Sequence, residues 1–258
     1  MKVVILAGGF GTRISEESDI RPKPMIEIGN MPILWHIMKI YSHYGFHEFV
    51  ICCGYKGSII KDFFANYYIR NCDVTFDFSN QNLIQIHNDF LEPWKVTLVD
   101  TKLNTMTGGR IRRIKDYITE DEFMLTYGDG VANVNIKELL ERHHKSGKLG
   151  TITAIQPESR FGILDIASDG SIQAFREKNV VDVGWVNGGF MVMNRKVFDY
   201  IDGDDMIFER EPLERLAKEG NLNSYKHYGF WHCMDTLRDK RKLEELWESG
   251  IAPWKVWE

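Results

Sequence analysis

The chain is poor in cysteine and proline, has no long apolar run and carries no excess of positive charge, and each shortage removes a class of protein. Its four cysteines, Cys52, Cys53, Cys72 and Cys233, sit at irregular spacing without a C-x-x-C pair. That leaves neither a disulfide framework nor a zinc-finger pattern. Cys52 and Cys53 are adjacent in "FVICCGY", so on a strand they face opposite ways and read as reduced packing residues. No apolar run approaches the roughly 18 residues needed to span a bilayer. The short apolar stretch ending at Gly8 has only Lys2 before it and no small-residue cleavage pattern behind it. It reads as a strand and not a signal peptide, so the expected setting is cytoplasmic, with no membrane partner. With 32 basic and 37 acidic residues the net charge is -5, which argues against a nucleic-acid partner. The basic cluster Arg110, Arg112, Arg113 and Lys115 reads as a solvated helix face in preference to a nucleic-acid footprint. The adjacent His143 and His144 read as a helix end, because neighbouring side chains there diverge by about 100°. There is no internal repeat, low-complexity tract or Pro/Ser-rich linker. At 258 residues, one domain with two functional halves, about 1–135 and 136–258, is the expectation.

What is present is an alternation of strands and helices. "KVVILA" is a nearly continuous apolar run, as a parallel strand covered on both faces should be. After a glycine loop, Pro32 opens a helix in which Leu34, Ile37, Met38 and Tyr41 fall at i, i+3, i+4 and i+7, and Gly45 stops it. "EFVICC" is the next strand, and "SIIKDFFANYY" a helix with Ile60, Phe63, Phe64 and Tyr67 on one stripe. "KVTLVDT" and "EFMLTYGDG" supply two more strands, separated by the loop "NTMTGGR" and a helix from about Arg110 to Tyr117. The order predicts an α/β fold with a parallel sheet. From about Gly150, "GTITAI", "FGILDI" and "SIQAFRE" are short strands, the last two joined by an Asp-Gly turn, so antiparallel pieces enter here. Helices follow near "RKVFDYI" and "FEREPLERLAKEG", and a last one spans roughly Thr236 to Glu248. Beyond it Trp254 and Trp257 look exposed; they either pack on the core or meet another subunit.

Chemistry concentrates where strands end. "LAGGFGTR" lets backbone N–H groups approach an anionic ligand closely. It fails both G-x-G-x-x-G, since Ile14 stands where the last glycine belongs, and the P-loop pattern. Arg13 follows directly, and Lys23 lies ten residues on between Pro22 and Pro24. Two cations on one loop suit a polyphosphate, the alternative being plain surface charges. Asp129, between Gly128 and Gly130 after a strand, could hold a hard divalent cation or merely make a turn. Asp235, before the last helix, is a candidate second carboxylate or a helix N-cap. Spacing along the chain does not say whether the two meet.

Taken together, "LAGGFGTR", "RPKPM", the "GDG" after a strand, "FREK" and "VNGGF" resemble the sugar-1-phosphate nucleotidyltransferases across nearly the whole chain. Within that family "ICCGYKG", "EPWKVTLVDT", "MTGGR" and "PWKVWE" resemble the branch that couples CTP to glucose 1-phosphate. The resemblance implies a three-layer α/β/α domain with a Rossmann-like mixed, mainly parallel sheet, and a reaction giving CDP-glucose and pyrophosphate for surface polysaccharides. It implies that Leu6, Ala7, Gly8, Gly9, Gly11, Thr12, Arg13, Lys23, Thr105, Arg110 and Gly128 bind the nucleotide, with Arg13 and Lys23 catalytic. By the same resemblance Asp129 and Asp235 bind Mg²⁺, and Glu177, Lys178, Asn187 and Gly188 bind the sugar phosphate. A homo-oligomer, hexamer or tetramer, is implied too. Asn179 departs from the family's usual proline after Lys178, and Ile14 replaces the usual leucine. A sister enzyme using UTP, dTTP, ATP or GTP stays open, as does an idle nucleotide-binding subunit; a dinucleotide oxidoreductase loses on the failed glycine pattern.

Overall fold

The computed structural model describes residues 1–80, 83–87, 91–157, 163–166, 171–176 and 184–258. Seven strands form the central sheet: β1 (Val3–Ala7), β2 (Glu48–Cys53), β3 (Lys95–Asp100), β4 (Glu122–Tyr127), β5 (Gly150–Ile155), β6 (Val186–Asn194) and β7 (Leu222–Lys226). Their spatial order is β7-β5-β6-β4-β1-β2-β3. All neighbours run parallel except at β6, which is antiparallel to both β5 and β4. The mixed, mainly parallel sheet is thus as expected. The sequence pattern did not single out β6 and β7 as strands. It also missed the short hairpin of Asp73–Asp77 with Leu83–His87.

Alternation along β1 builds the layers. Val3, Ile5 and Ala7 pack with Ile37, Met38 and Tyr41 of α1 (Ile33–His43) on one face. Val4 and Leu6 pack on the other with Ile111 of α3 (Thr107–Arg113) and Leu216 of α5 (Glu211–Lys218). The remaining helices introduced here are α2 (Gly57–Ala65), α4 (Ile136–Ser146) and α6 (Leu237–Glu248). Cys52 and Cys53 divide between the two faces, both buried and free. His143 is buried and His144 exposed, so the rings diverge, although both reach Glu122.

Two expectations change. The predicted 110–117 helix begins at Thr107, where Gly108 and Gly109 pack flat against Met206 and Asp204, and gives way to a 3-10 turn at Lys115–Tyr117. Trp254 is fully buried: it sits against Phe230 and Trp247 and donates its indole N–H to His36 Nδ1 at 3.3 Å. Trp254 is thus covered by its own chain, and Trp257 is half-buried against Trp35 and Trp247. Among the described residues no helix is long and apolar enough to cross a membrane.

Candidate active site

Strands β1 and β4 end side by side, Leu6 opposite Tyr127, so the turns after them open on the same edge of the sheet. A cavity of about 520 Å³ lies there. The turn from Leu6 to Arg13 lines it, together with Lys23, Thr105, Arg110, Gly128, Asp129 and Asp235. Gly11 has φ +68°, a left-handed conformation, and a Cβ there would press on Ser18 and on the Lys23 side chain. Gly8 is required by a close approach, since a Cβ would fall 2.2 Å from the Arg110 guanidinium.

Tertiary structure settles the question that spacing left open. The residues after Asp129 form a short strand, Gly130–Ala132, pairing antiparallel with Trp231–Cys233 so that Gly130 faces Cys233. Met234 N–H also donates to the Asp129 carbonyl at 2.8 Å. This ribbon carries Asp129 and Asp235 to one place. Lys23 Nζ stands between them, 2.6 Å from Asp129 Oδ2 and 2.6 Å from Asp235 Oδ1, and Arg13 Nη1 reaches Asp235 Oδ2 at 2.8 Å. Arg13 is otherwise exposed to the cavity mouth. Burial alone would lower the Lys23 ammonium, but attraction from Asp129, with hydrogen bonds to both carboxylates, holds it above its ordinary value. Burial would likewise raise Asp235, yet Lys23 and Arg13 keep it below the usual carboxylate range. Asp235 is not the N-cap of α6. That position belongs to Thr236, in a reciprocal capping box with Asp239.

Cys233 completes a cluster that sequence reasoning missed: its Sγ and one oxygen each from Asp129 and Asp235 lie within 4.8 Å of one another. The signal was its place two residues before Asp235. Burial and the nearby carboxylates push its thiol up, so it rests protonated. Two convergent carboxylates around a cation fit a hard divalent ion.

Arg110 departs from the solvated-face reading. Only 4% exposed, its guanidinium donates to the carbonyls of Gly8 (2.9 Å), Lys102 (2.7 Å), Leu103 (3.1 Å) and Cys53 (3.5 Å) and to Thr101 Oγ1 (2.7 Å). It pins the glycine turn to the loop after β3. Arg112, Arg113 and Lys115 are exposed, as expected.

Asn187 and Gly188 stand at the start of β6, outside the cavity lining. Asn187 reaches the cavity wall through Tyr127, donating from Nδ2 to Oη at 3.1 Å. Gly188 is buried against Ile155, its carbonyl accepting from Trp231 Nε1 at 2.7 Å. Glu177, Lys178 and Asn179 lie outside the described residues. Tyr127 and Thr107 also line the cavity and were not singled out from the sequence; Tyr127 directly precedes Gly128, which was the available signal.

The same organisation recurs in known proteins. A glucose-1-phosphate cytidylyltransferase of Salmonella typhimurium is 54% identical over the whole of both chains, and that of Salmonella typhi matches equally. HddC from Yersinia pseudotuberculosis has the same fold, with a TM-score of 0.70 at 24% identity over 95% of this chain and 99% of its own. The nucleotidyl transferase family model matches residues 2–235, from the first strand to the second carboxylate at the cavity mouth, and with that full-length identity the chain belongs to the nucleotidyl transferase family.

Proposed function

We propose that the chain transfers a cytidylyl group from CTP to α-D-glucose 1-phosphate, giving CDP-glucose and pyrophosphate. The observation that carries it is the meeting of Lys23, Arg13, Asp129 and Asp235 at the mouth of a glycine-walled cavity on the strand ends. The choice of base and sugar is supported by the names of the 54%-identical Salmonella relatives.

The nucleophile is a phosphate oxygen of the sugar phosphate and is already an anion, so no general base is needed and none is assigned. It attacks the α-phosphorus of CTP in line, the bond to the β-phosphate bridge oxygen breaks, and pyrophosphate leaves. Two anions must be brought together, so catalysis rests on positioning and charge neutralisation. Backbone atoms from Leu6 to Gly11 and Gly128 line the nucleotide, with Thr105 beside them. Thr12 and Arg13 hold its phosphates, and Lys23 takes the α-phosphate region. Arg110 acts from behind, holding the glycine turn in place. Glu177, Lys178, Asn187 and Gly188 are assigned to the sugar phosphate.

The family works with a divalent metal, and Asp129 and Asp235 are the residues that would hold it. Hard carboxylate oxygens suit Mg²⁺. When bound, the ion would neutralise phosphate charge.

The division into a nucleotide-binding half, about 1–135, and a sugar-phosphate half, about 136–258, belongs to the same reading; the seven-stranded sheet shared by both supports a single domain. So does a homo-oligomer, hexamer or tetramer. Its support is the Asp73–Asp77 and Leu83–His87 hairpin, which leaves Phe76, Ile84 and Ile86 exposed although an isolated two-stranded hairpin is marginal alone. Four free cysteines agree with a reducing, cytoplasmic setting.

The test is pyrophosphate release with Mg²⁺ and glucose 1-phosphate, comparing CTP, UTP, dTTP, ATP and GTP. Release with CTP that depends on the sugar phosphate is the expected result. Release only with another nucleotide sinks the base assignment, and silence with all five returns the idle binding subunit.

A further inference from the structure

The wall between the nucleotide cavity and the strand that carries Asn187 is a hydrogen-bond chain that ends on one carboxylate. At one end Gly189 N–H donates to Asn187 Oδ1 at 2.9 Å, which leaves the amide nitrogen to donate to Tyr127 Oη at 3.1 Å. The Tyr127 hydroxyl, already accepting, donates in turn to Glu209 Oε1 at 2.6 Å. From the other end, Phe208 N–H donates to Thr107 Oγ1 at 2.9 Å, and the threonine hydroxyl donates to Glu209 Oε2 at 2.6 Å. Both hydroxyl protons converge on one carboxylate. Only a group that accepts at both oxygens satisfies this arrangement.

The elements joined matter for the reaction. Thr107 opens α3, whose first turn borders the cavity, and Tyr127 lines the cavity directly before Gly128 and Asp129. Asn187 is the second residue of β6, the antiparallel strand. Gly189, at φ +82°, lies under the Tyr127 ring, where a Cβ would fall 2.6 Å from the ring edge. Ring, amide and carboxylate are therefore held from three separate elements.

We propose that Glu209 and Tyr127 are positioning residues for the sugar phosphate: they fix the side-chain amide of Asn187 from the nucleotide side of the cavity, an inference that rests on the function proposed above. Tyr127 presents an acceptor to one amide hydrogen of Asn187, and Gly189 satisfies its oxygen. The side chain is thereby kept from flipping, with its second amide hydrogen available to a ligand. Because Thr107 shares Glu209, the order of the nucleotide-side loop and that of the sugar-side amide are tied together.

The test uses the full chain: steady-state constants for both substrates, with thermal midpoints, for the wild type, Tyr127→Phe, Glu209→Gln, Asn187→Ala and the Tyr127→Phe/Asn187→Ala pair. Glu209→Gln is nearly isosteric but offers one acceptor and one donor where the carboxylate offers two acceptors, so it removes one acceptor from the chain without emptying the site. The KM for glucose 1-phosphate is expected to rise roughly tenfold in each single variant, as for one hydrogen bond lost. The KM for CTP should move less than about threefold in Tyr127→Phe and Asn187→Ala, which leave the Thr107–Glu209 bond in place. Tyr127→Phe should add little once Asn187 is gone, because it acts through that residue. An unchanged KM for glucose 1-phosphate in Tyr127→Phe and Glu209→Gln overturns the inference, even if the thermal midpoint falls. Full additivity in the double variant overturns it too. No turnover by the wild type with CTP and glucose 1-phosphate sinks the functional reading and this inference together, whereas wild-type turnover with unaffected variants removes this inference alone.

Discussion

The cavity holds a basic residue at its mouth and another at its back, and they are bound by opposite kinds of partner. Lys23 sits between two carboxylates, charged partners that phosphate and a divalent ion can exchange for one another. Arg110 spends its guanidinium on four carbonyls and a hydroxyl of its own chain, dipoles that no substrate replaces. A compact ammonium on a flexible stem suits the first duty, and a planar fork of donors suits the second. The contrast teaches that charge type does not assign a role; the partner does. A third buried base, His36, extends the series: it is held neutral, with Nε2 donating to the Ile28 carbonyl at 2.8 Å and Nδ1 accepting from Trp254.

The sharpest test of the contrast is Lys23→Ala. Turnover at saturating substrates should fall at least about a hundredfold, a larger loss than that in stability; near wild-type turnover would break the comparison at its mouth end. Arg110→Lys should do the reverse. A lysine offers three donors to five acceptors, so urea unfolding should show a loss of about 2–3 kcal/mol, with kcat at saturation reduced far less than by Lys23→Ala. His36 gives a dependence on pH. Burial, which outweighs its backbone hydrogen bonds, lowers its pKa from 6.5 to about 4. Below 6.5 the unfolded chain takes up a proton that the folded chain refuses, so stability is full above that pH and is lost as pH falls toward 4. The loss by pH 5 is about 2 kcal/mol, and comparing urea midpoints at pH 7 and 5 should show it reduced in His36→Gln. The smallest effects separate adjacent glycines. Gly8→Ala must displace the Arg110 guanidinium and should lower stability by about 1–2 kcal/mol. A Cβ at Gly9 meets nothing within 4 Å, so Gly9→Ala should stay within about 0.5 kcal/mol and register instead as a raised KM for CTP.

Much of the fold that was legible in the sequence leaves a period of buried residues, although β6, buried over six consecutive residues, was missed. The buried β1, the buried centre of β4, and the stripe of Leu34, Ile37, Met38 and Tyr41 follow directly from apolar spacing. β7 did not, because its residues are only partly covered and alternate weakly, and the Phe76 hairpin did not, because it leaves its apolar residues exposed. In the site, Arg13, Lys23 and Asp129 were legible because glycines and prolines mark their turns. Glu209 carries no such mark. It lies before α5, far in sequence from Tyr127, and matters only through two hydroxyls that folding brings to it. Trp254 left two readings open for a related reason: an apolar tail says that something covers it, and only the packing against α1 and α6 says that the cover is its own chain.

By itself, then, the sequence determined the α/β class and the strand-end location of the chemistry, since these depend on local periodicity and on residue types within a few positions. Tertiary structure alone decided that Asp129 meets Asp235, that Lys23 lies between them, and that Arg110 faces inward. Those outcomes hang on strand pairing between segments about a hundred residues apart, where Gly130 faces Cys233 and Leu6 faces Tyr127. No local preference encodes such a pairing; it is selected by the burial of the whole sheet.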